Sequence, residues 1–239
     1  MLPCDRVMAI IRGDALPELV LKGGDVVNVF SGEIYRADVA IDSGRVIALG
    51  EFKGQSEADA SGRVVSPGFF DSHVHIESSM VTIPEYARAV VPRGTTTVVI
   101  DPHEIANVMG LDGIKYMLKT SKYQFLNVFV MLSSCVPASN LETSGSELRA
   151  VDLFPYIGQE WILGLGEMMN FPGVLACDPE VMDKLKLFQG QVIDGHAPGL
   201  TGRALNGYAA MGIHSDHECT TAEEAREKIR LGMAIMIRE

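Results

Sequence analysis

The sequence predicts an α/β fold: a TIM-type (β/α)8 barrel truncated after strand seven, preceded by a small β-sandwich-like domain. Three observations carry this reading. From residue 64 onward, short β-branched runs alternate with helical segments, the rhythm of parallel strands joined by crossover helices. Titratable residues collect just past the ends of those runs, where a barrel gathers distant residues at one mouth. Before residue 65 the rhythm differs, with short apolar runs separated by glycine-containing turns.

Those early runs cover residues 19–21, 26–29, 38–41 and 45–48, with Gly23-Gly24, Ser31-Gly32 and Asp42-Ser43-Gly44 between them. The spacing predicts β-hairpins in a small antiparallel sheet or sandwich over residues 1–65, after a helical or disordered lead-in before Leu16. Residues 66–239 form the barrel. Its strands are expected at 64–76, 95–100, 127–132, 161–165, 191–194, 213–216 and 233–237. Helices are expected at 83–91, 111–119, 179–188, 203–211 and 221–231. Pro84 sits in a first helical turn, where its missing N–H does no harm. The last helix has the clearest signals: a cap at Thr220-Thr221, acids at Glu223-Glu224 and a stop at Gly232. An open doubly wound sheet is the runner-up, but no GxGxxG marks a first strand-to-helix turn.

Charge excludes several function classes. With 31 acidic against 20 basic residues the net charge is -11, and no Lys/Arg run can track a phosphate backbone. Nucleic acid and anionic membrane surfaces are therefore not expected partners. Cys4, Cys135, Cys177 and Cys219 are widely spaced and form no CxxC pair, which argues against a structural zinc site or disulfide framework. No apolar run approaches the roughly 18 residues of a membrane span. A cytoplasmic protein acting on a small molecule is the expectation.

The residues at the strand ends suggest what chemistry. They are His73 and His75; Asp101, His103 and Glu104; Glu167; Asp194 and His196; and Asp216, His217 and Glu218. Five of the six histidines fall there, and only His214 lies elsewhere. His73 and His75 are two apart, so on a strand they project to one side. Four imidazoles and one carboxylate can hold two divalent ions, with Glu167 as an anionic bridge that offsets their repulsion.

The string Pro67-Gly68-Phe69-Phe70-Asp71-Ser72-His73-Val74-His75 resembles the first-strand signature of the amidohydrolase superfamily. Within it, the chain is most similar to bacterial-type adenine deaminases. That likeness rests on Gly166-Glu167-Met168-Met169-Asn170-Phe171-Pro172-Gly173 and Ser215-Asp216-His217-Glu218-Cys219-Thr220-Thr221, with Asp101-Pro102-His103-Glu104, Ser133-Ser134-Cys135-Val136-Pro137 and Asp194-Gly195-His196 in support. The resemblance implies a binuclear centre holding manganese, or in other cases iron or zinc. His73 and His75 would bind one ion, His196 and His217 the other, with Glu167 between them. It also implies catalytic roles for Glu167 and His217. Asp101, His103, Glu104, Asp216 and Glu218 would support the centre or touch substrate. The implied reaction is hydrolytic deamination of adenine to hypoxanthine and ammonia, by a homo-oligomer in the full-length form.

One departure stands out. The superfamily takes a metal-binding, proton-shuttling Asp from the eighth strand, and this sequence ends at Glu239, in or just after the seventh. The expectation is an N-terminal portion with barrel and β-domain both incomplete and little activity by itself. The alternatives are another amidohydrolase acting on a cyclic amide, such as a dihydroorotase, or an inactive metal-binding fragment. Two-metal enzymes of the former kind usually bridge with a carboxylated Lys, and residues 161–171 contain no Lys.

Overall fold

The computed structural model describes residues 4–139 and 141–238. They divide into two compact units at the Pro67–Gly68 boundary. Glu239 lies outside the described residues.

The N-terminal unit opens with a helix, α1 (Cys4–Arg12), and continues with β1 (Leu19–Asn28), β2 (Glu33–Asp42), β3 (Arg45–Gly50), β4 (Ser56–Asp59) and β5 (Val64–Val65). The first three strands form the expected antiparallel hairpins. The next two depart from expectation, because β4 and β5 both pair parallel to β1, giving one mixed sheet of order β3-β2-β1-β4. No second layer of a sandwich occurs among the described residues of this unit. The cause is the link between β3 and β4, which crosses the sheet instead of turning back. Gly54 allows the crossing: a Cβ there would lie 2.9 Å from Val20 Cγ2 and 2.5 Å from the Ser56 carbonyl oxygen. Asp38 fixes it, accepting from Lys22 Nζ (2.5 Å), Gly23 N (2.9 Å) and Phe52 N (3.1 Å). Val64-Val65 therefore completes this sheet and is not the start of the first barrel strand.

The second unit is a run of parallel strands and helices. Its elements are β6 (Phe69–Val74), α2 (Ile83–Val90), β7 (Thr95–Ile100), α3 (His103–Met109), α4 (Leu111–Thr120), β8 (Asn127–Leu132), α5 (Ala150–Leu153), β9 (Ile162–Met168), α6 (Phe171–Leu175), α7 (Pro179–Leu187), β10 (Val192–Gly195), α8 (Gly202–Ala210), β11 (Ser215–Asp216), α9 (Ala222–Arg230) and β12 (Ala234–Ile235). Strands β6 to β10 form one parallel sheet in chain order. A second parallel pair, β11 and β12, continues beside β10, where His214 N–H donates to the Ile193 carbonyl at 2.9 Å. This curled half-barrel contains all seven expected barrel strands. Central strands such as β8 and β9 are buried almost throughout, as parallel strands covered by helices must be. Four of the long helices turn an apolar stripe inward, Ile83 and Ala87, Ile114 and Met117, Val181 and Leu185, Leu205 and Tyr208, whereas α9 buries Glu224 and Lys228. Helix α3 was not expected; Pro102 at its start disguised it as loop. No described helix is long and apolar enough to cross a membrane.

Candidate metal centre

His73 lies in β6 and His75 just past its end, so both rings emerge on one side of the strand. Their Nε2 atoms are 3.1 Å apart, a separation that a shared proton or a shared cation draws together. His75 Nδ1 is 2.8 Å from the Asp101 carbonyl oxygen. That bond puts the His75 proton on Nδ1 and leaves Nε2 with a free lone pair, the tautomer a metal ligand needs.

Glu167, near the end of β9, is the centre of the constellation and is 2% exposed. Its two oxygens face different imidazoles. Oε1 is 3.2 Å from His75 Nε2 and 3.1 Å from His103 Nδ1. Oε2 is 2.6 Å from His196 Nδ1 and 3.0 Å from His217 Nε2. His75 follows β6, His103 follows β7, His196 follows β10 and His217 follows β11, so four other strand ends meet at this one carboxylate. Behind it stands Asp101, whose Oδ2 accepts the Glu167 N–H at 2.8 Å and whose Oδ1 accepts the Ser133 hydroxyl at 3.1 Å. The residue beside Glu167 must be glycine, since a Cβ on Gly166 would lie 2.2 Å from Asp101 Oδ2.

Charge and orphaned lone pairs show what the cluster wants. Burial opposes the Glu167 charge, but the four imidazoles that face its oxygens outweigh it and hold the carboxyl far below its usual range. Burial likewise pulls His103 down, but Asp101 and Glu167 outweigh it and push its imidazolium up to about 10. His73, chiefly through burial, is pushed down to about 4 and is neutral near pH 7. Both His217 ring nitrogens and His103 Nδ1 are buried without a hydrogen bond of good geometry. Buried nitrogens are rarely left so, and lone pairs turned toward a carboxylate they do not properly bond are what divalent-ion ligands look like without the ion. Three side-chain groups have ligand spacing here: His73, Glu167 and His217; His75, His103 and Glu167; and His196, His217 and Glu218. The donor set, imidazole with carboxylate, suits zinc, iron or manganese. A cavity of about 300 Å³ opens beside His73, His75 and His217, at the lower end of the range for small-ligand sites. A larger one, about 580 Å³, lies around the loop after β8 and touches none of the histidines.

Residues 64–237 match the amidohydrolase family. The chain belongs to that family. Among curated proteins, it is 58% identical to an adenine deaminase from Clostridium acetobutylicum over 223 residues, covering 92% of this chain and 39% of the relative. It is 50% identical over 239 residues to adenine deaminase 2 of Carboxydothermus hydrogenoformans, covering all of this chain and 42% of that one. The chain thus spans about two fifths of the length of these relatives. Among solved structures, an N-acyl-D-glutamate deacylase from Bordetella bronchiseptica, complexed with zinc and a phosphonate inhibitor, matches with a TM-score of 0.63 at 18% identity. That match covers 93% of this chain and 58% of the deacylase. A dihydroorotase matches with a TM-score of 0.58 at 17% identity, covering 92% and 64% respectively. These likenesses concern the amidohydrolase fold.

The structure brings His73, His75, Glu167, His196 and His217 together, and adds His103 at the same carboxylate. The remaining strand-end residues of this amidohydrolase do other things. Asp101 supports Glu167. Glu104 accepts the Ser78 hydroxyl at 2.6 Å, linking the loops after β6 and β7. Asp194 accepts the Ser215 hydroxyl at 2.8 Å, and burial raises its carboxyl. Asp216 turns away from the cluster and caps backbone N–H groups of Ala197, His217 and Glu218. Glu218 Oε1 lies 3.6 Å from His217 Nε2 and accepts from Arg238 Nη1 at 2.5 Å. His214, the one histidine outside the set, is exposed. Sequence reasoning missed Tyr208, whose hydroxyl accepts the His196 N–H at 3.0 Å and donates to the Met168 carbonyl at 2.7 Å. It missed Lys228 as well, although an i,i+4 Glu224–Lys228 pair was visible on a helix face.

Proposed function

We propose that this chain carries the binuclear divalent-metal centre of an aminohydrolase that converts adenine and water to hypoxanthine and ammonia. The observation that carries the reading is the division of Glu167, one oxygen toward His75 and His103, the other toward His196 and His217. A carboxylate so placed would hold two cations between those two pairs of imidazoles. The adenine deaminases at 50% and 58% identity support the substrate. In this reading His73 and His75 hold one ion and His196 and His217 the other, manganese being the favoured metal. Residues 66–239 are the catalytic barrel and residues 1–65 an accessory β-domain.

When bound, such ions supply Lewis acidity and bring the pKa of water toward neutrality. The chain's own residues set the geometry. The Asp101 carbonyl orients His75, and the Asp101 carboxylate fixes the backbone of Glu167. The Tyr208 hydroxyl fixes the backbone of His196. In the overall reaction, the water oxygen bonds to C6, the C6–N bond breaks, one water proton leaves with ammonia and the other ends on the ring nitrogen beside C6. Glu218, whose Oε1 lies 3.6 Å from the cavity-lining His217, is the group placed to carry a proton to the leaving nitrogen.

Ammonia release from adenine by the manganese-loaded protein at its natural length tests the proposal. Turnover abolished by Glu167→Gln supports it. Turnover on dihydroorotate or an N-acyl amino acid, with none on adenine, overturns it.

A further inference from the structure

Lys228 lies near the end of α9, yet it is 0% exposed. Its ammonium has three hydrogens and three acceptors: Asp216 Oδ2, Glu224 Oε1 at 2.6 Å and the Ala197 carbonyl at 2.8 Å. Each acceptor belongs to, or holds, one of two loops. Ala197 directly follows His196. Asp216 directly precedes His217, and its Oδ1 accepts from the N–H groups of Ala197, His217 and Glu218 at 3.3, 2.9 and 3.1 Å. Glu224 accepts from Gly199 N at 2.8 Å and Thr220 N at 3.2 Å, again one residue from each loop. Asp216, Cys219 and Glu224 by themselves have the spacing of a cation site. The Lys228 ammonium stands among them and supplies the cation.

We propose that Lys228 is a positioning residue for one half of the metal centre, the half formed by His196 and His217. It fixes the loops after β10 and β11 to each other, and so fixes the separation of the two imidazoles they carry. The inference rests on the metal reading above and adds an asymmetry to it. His75 is held by a different device, the Asp101 carbonyl, and the His73 N–H donates to Asp71 Oδ1 at 3.2 Å, so that Lys228 touches neither. A buried ion triad is poorly explained by stability alone, because desolvating three charges cancels most of their attraction. A geometric task at a site intolerant of small displacements explains it better.

Manganese binding to the chain, followed by the EPR signal of the free ion during titration, tests this. Two ions per chain are expected for the parent. Lys228→Met is expected to keep one at parental affinity and to weaken the other about 10- to 100-fold, the usual effect of losing a partner behind a ligand. The assignment comes from a cycle. In a His73→Ala/His75→Ala background, Lys228→Met should weaken the remaining ion by the same factor. In a His196→Ala/His217→Ala background it should change nothing. Leu185→Ala, which destabilises the barrel away from the centre, should lower the melting temperature without altering either affinity. Equal weakening of both ions, or parental binding by folded Lys228→Met, overturns the proposal. Should Lys228→Met not fold, Glu224→Gln must show the same selective loss in smaller degree, and parental binding by that variant overturns it equally. Fewer than two ions on the parent chain refutes the binuclear reading itself, which is a distinct result.

Discussion

Gly166→Ala is the sharpest test of how Glu167 is held. The glycine is not in the left-handed region, so backbone strain plays no part and the whole effect is steric. An added Cβ would meet Asp101 Oδ2 at 2.2 Å, its Cγ at 2.6 Å and its Oδ1 at 2.9 Å. Ordinary contact requires about 1 Å of retreat, and Asp101, 1% exposed, has nowhere to go. Retreat breaks the bond from Glu167 N–H, a hydrogen bond to a charged group worth about 1.5–3 kcal/mol. Overpacking a dense interior adds about 1–3 kcal/mol. A loss of about 3–5 kcal/mol follows, roughly 10 °C or more in melting temperature for a unit of this size. A shift of about 1 Å at Glu167 should also cost on the order of 100-fold in turnover. The control is another Gly→Ala change of opposite expected sign. Gly207 lies inside α8, where a Cβ would meet only Leu175 Cδ2 at an ordinary 3.4 Å. Gly207→Ala should therefore stabilise by about 0.5–1 kcal/mol. Urea denaturation of both variants with manganese titration decides the matter. A Gly166→Ala protein within 0.5 kcal/mol of the parent, still binding two ions, would refute the account of Asp101 as the wall behind Glu167.

Glu167→Gln should abolish tight binding of at least one ion while leaving the far-UV spectrum unchanged, because the amide removes the one charge both cations share; plasma emission analysis of the purified protein reads this out. His73→Ala/His75→Ala should halve the metal content, and parental content would remove those two residues from the ligand set. The N-terminal unit should weaken in acid: Arg6 holds Asp42, and Lys22 with two backbone N–H groups holds Asp38 against burial, below the ordinary 3.8. Their contribution is present above about pH 4 and is lost as pH falls through the depressed values. Asp38→Asn should flatten that acid limb of the stability curve, and an unchanged limb would assign the loss elsewhere.

Much of this was legible in the sequence, for identifiable reasons. The seven barrel strands and the five long helices could be read because parallel strands and amphipathic helices leave different periodicities. The five ligand candidates could be read because a barrel concentrates its chemistry at strand ends, so that position along the chain stands in for position in space. What stayed hidden depends on packing across elements. The direction of β4 and β5 is set by one close crossing at Gly54 over Val20, which no local propensity records. Gly166 reads as an ordinary strand glycine until Asp101 is placed against it. Lys228 reads as a solvated helical lysine, since a surface Glu–Lys pair and a buried one have the same spacing. His103 was visible as a strand-end histidine, but its approach to Glu167 required the turn into α3, which Pro102 concealed.

The charges at the centre carry one more consequence. Two divalent ions bring four positive charges, and the imidazoles offset none of them. Of the buried carboxylates nearby, Asp101 is committed to a backbone N–H and a hydroxyl, and Asp216 to Lys228 and three N–H groups. Burial raises the Asp194 carboxyl, which disfavours its charged form. Among the described residues, Glu167 alone faces both pairs of imidazoles with a full negative charge, and Glu218 reaches only the His217 side, already paired with Arg238. In the proposed binuclear centre a first ion would meet an unshared carboxylate, whereas a second would share it and feel the first. Uptake should therefore be stepwise, with dissociation constants separated by more than tenfold, about 1.4 kcal/mol or more. Added salt should narrow the gap little, because the centre is buried and poorly screened. Simultaneous uptake of two ions with equal affinity would mean that another anion enters the centre with them.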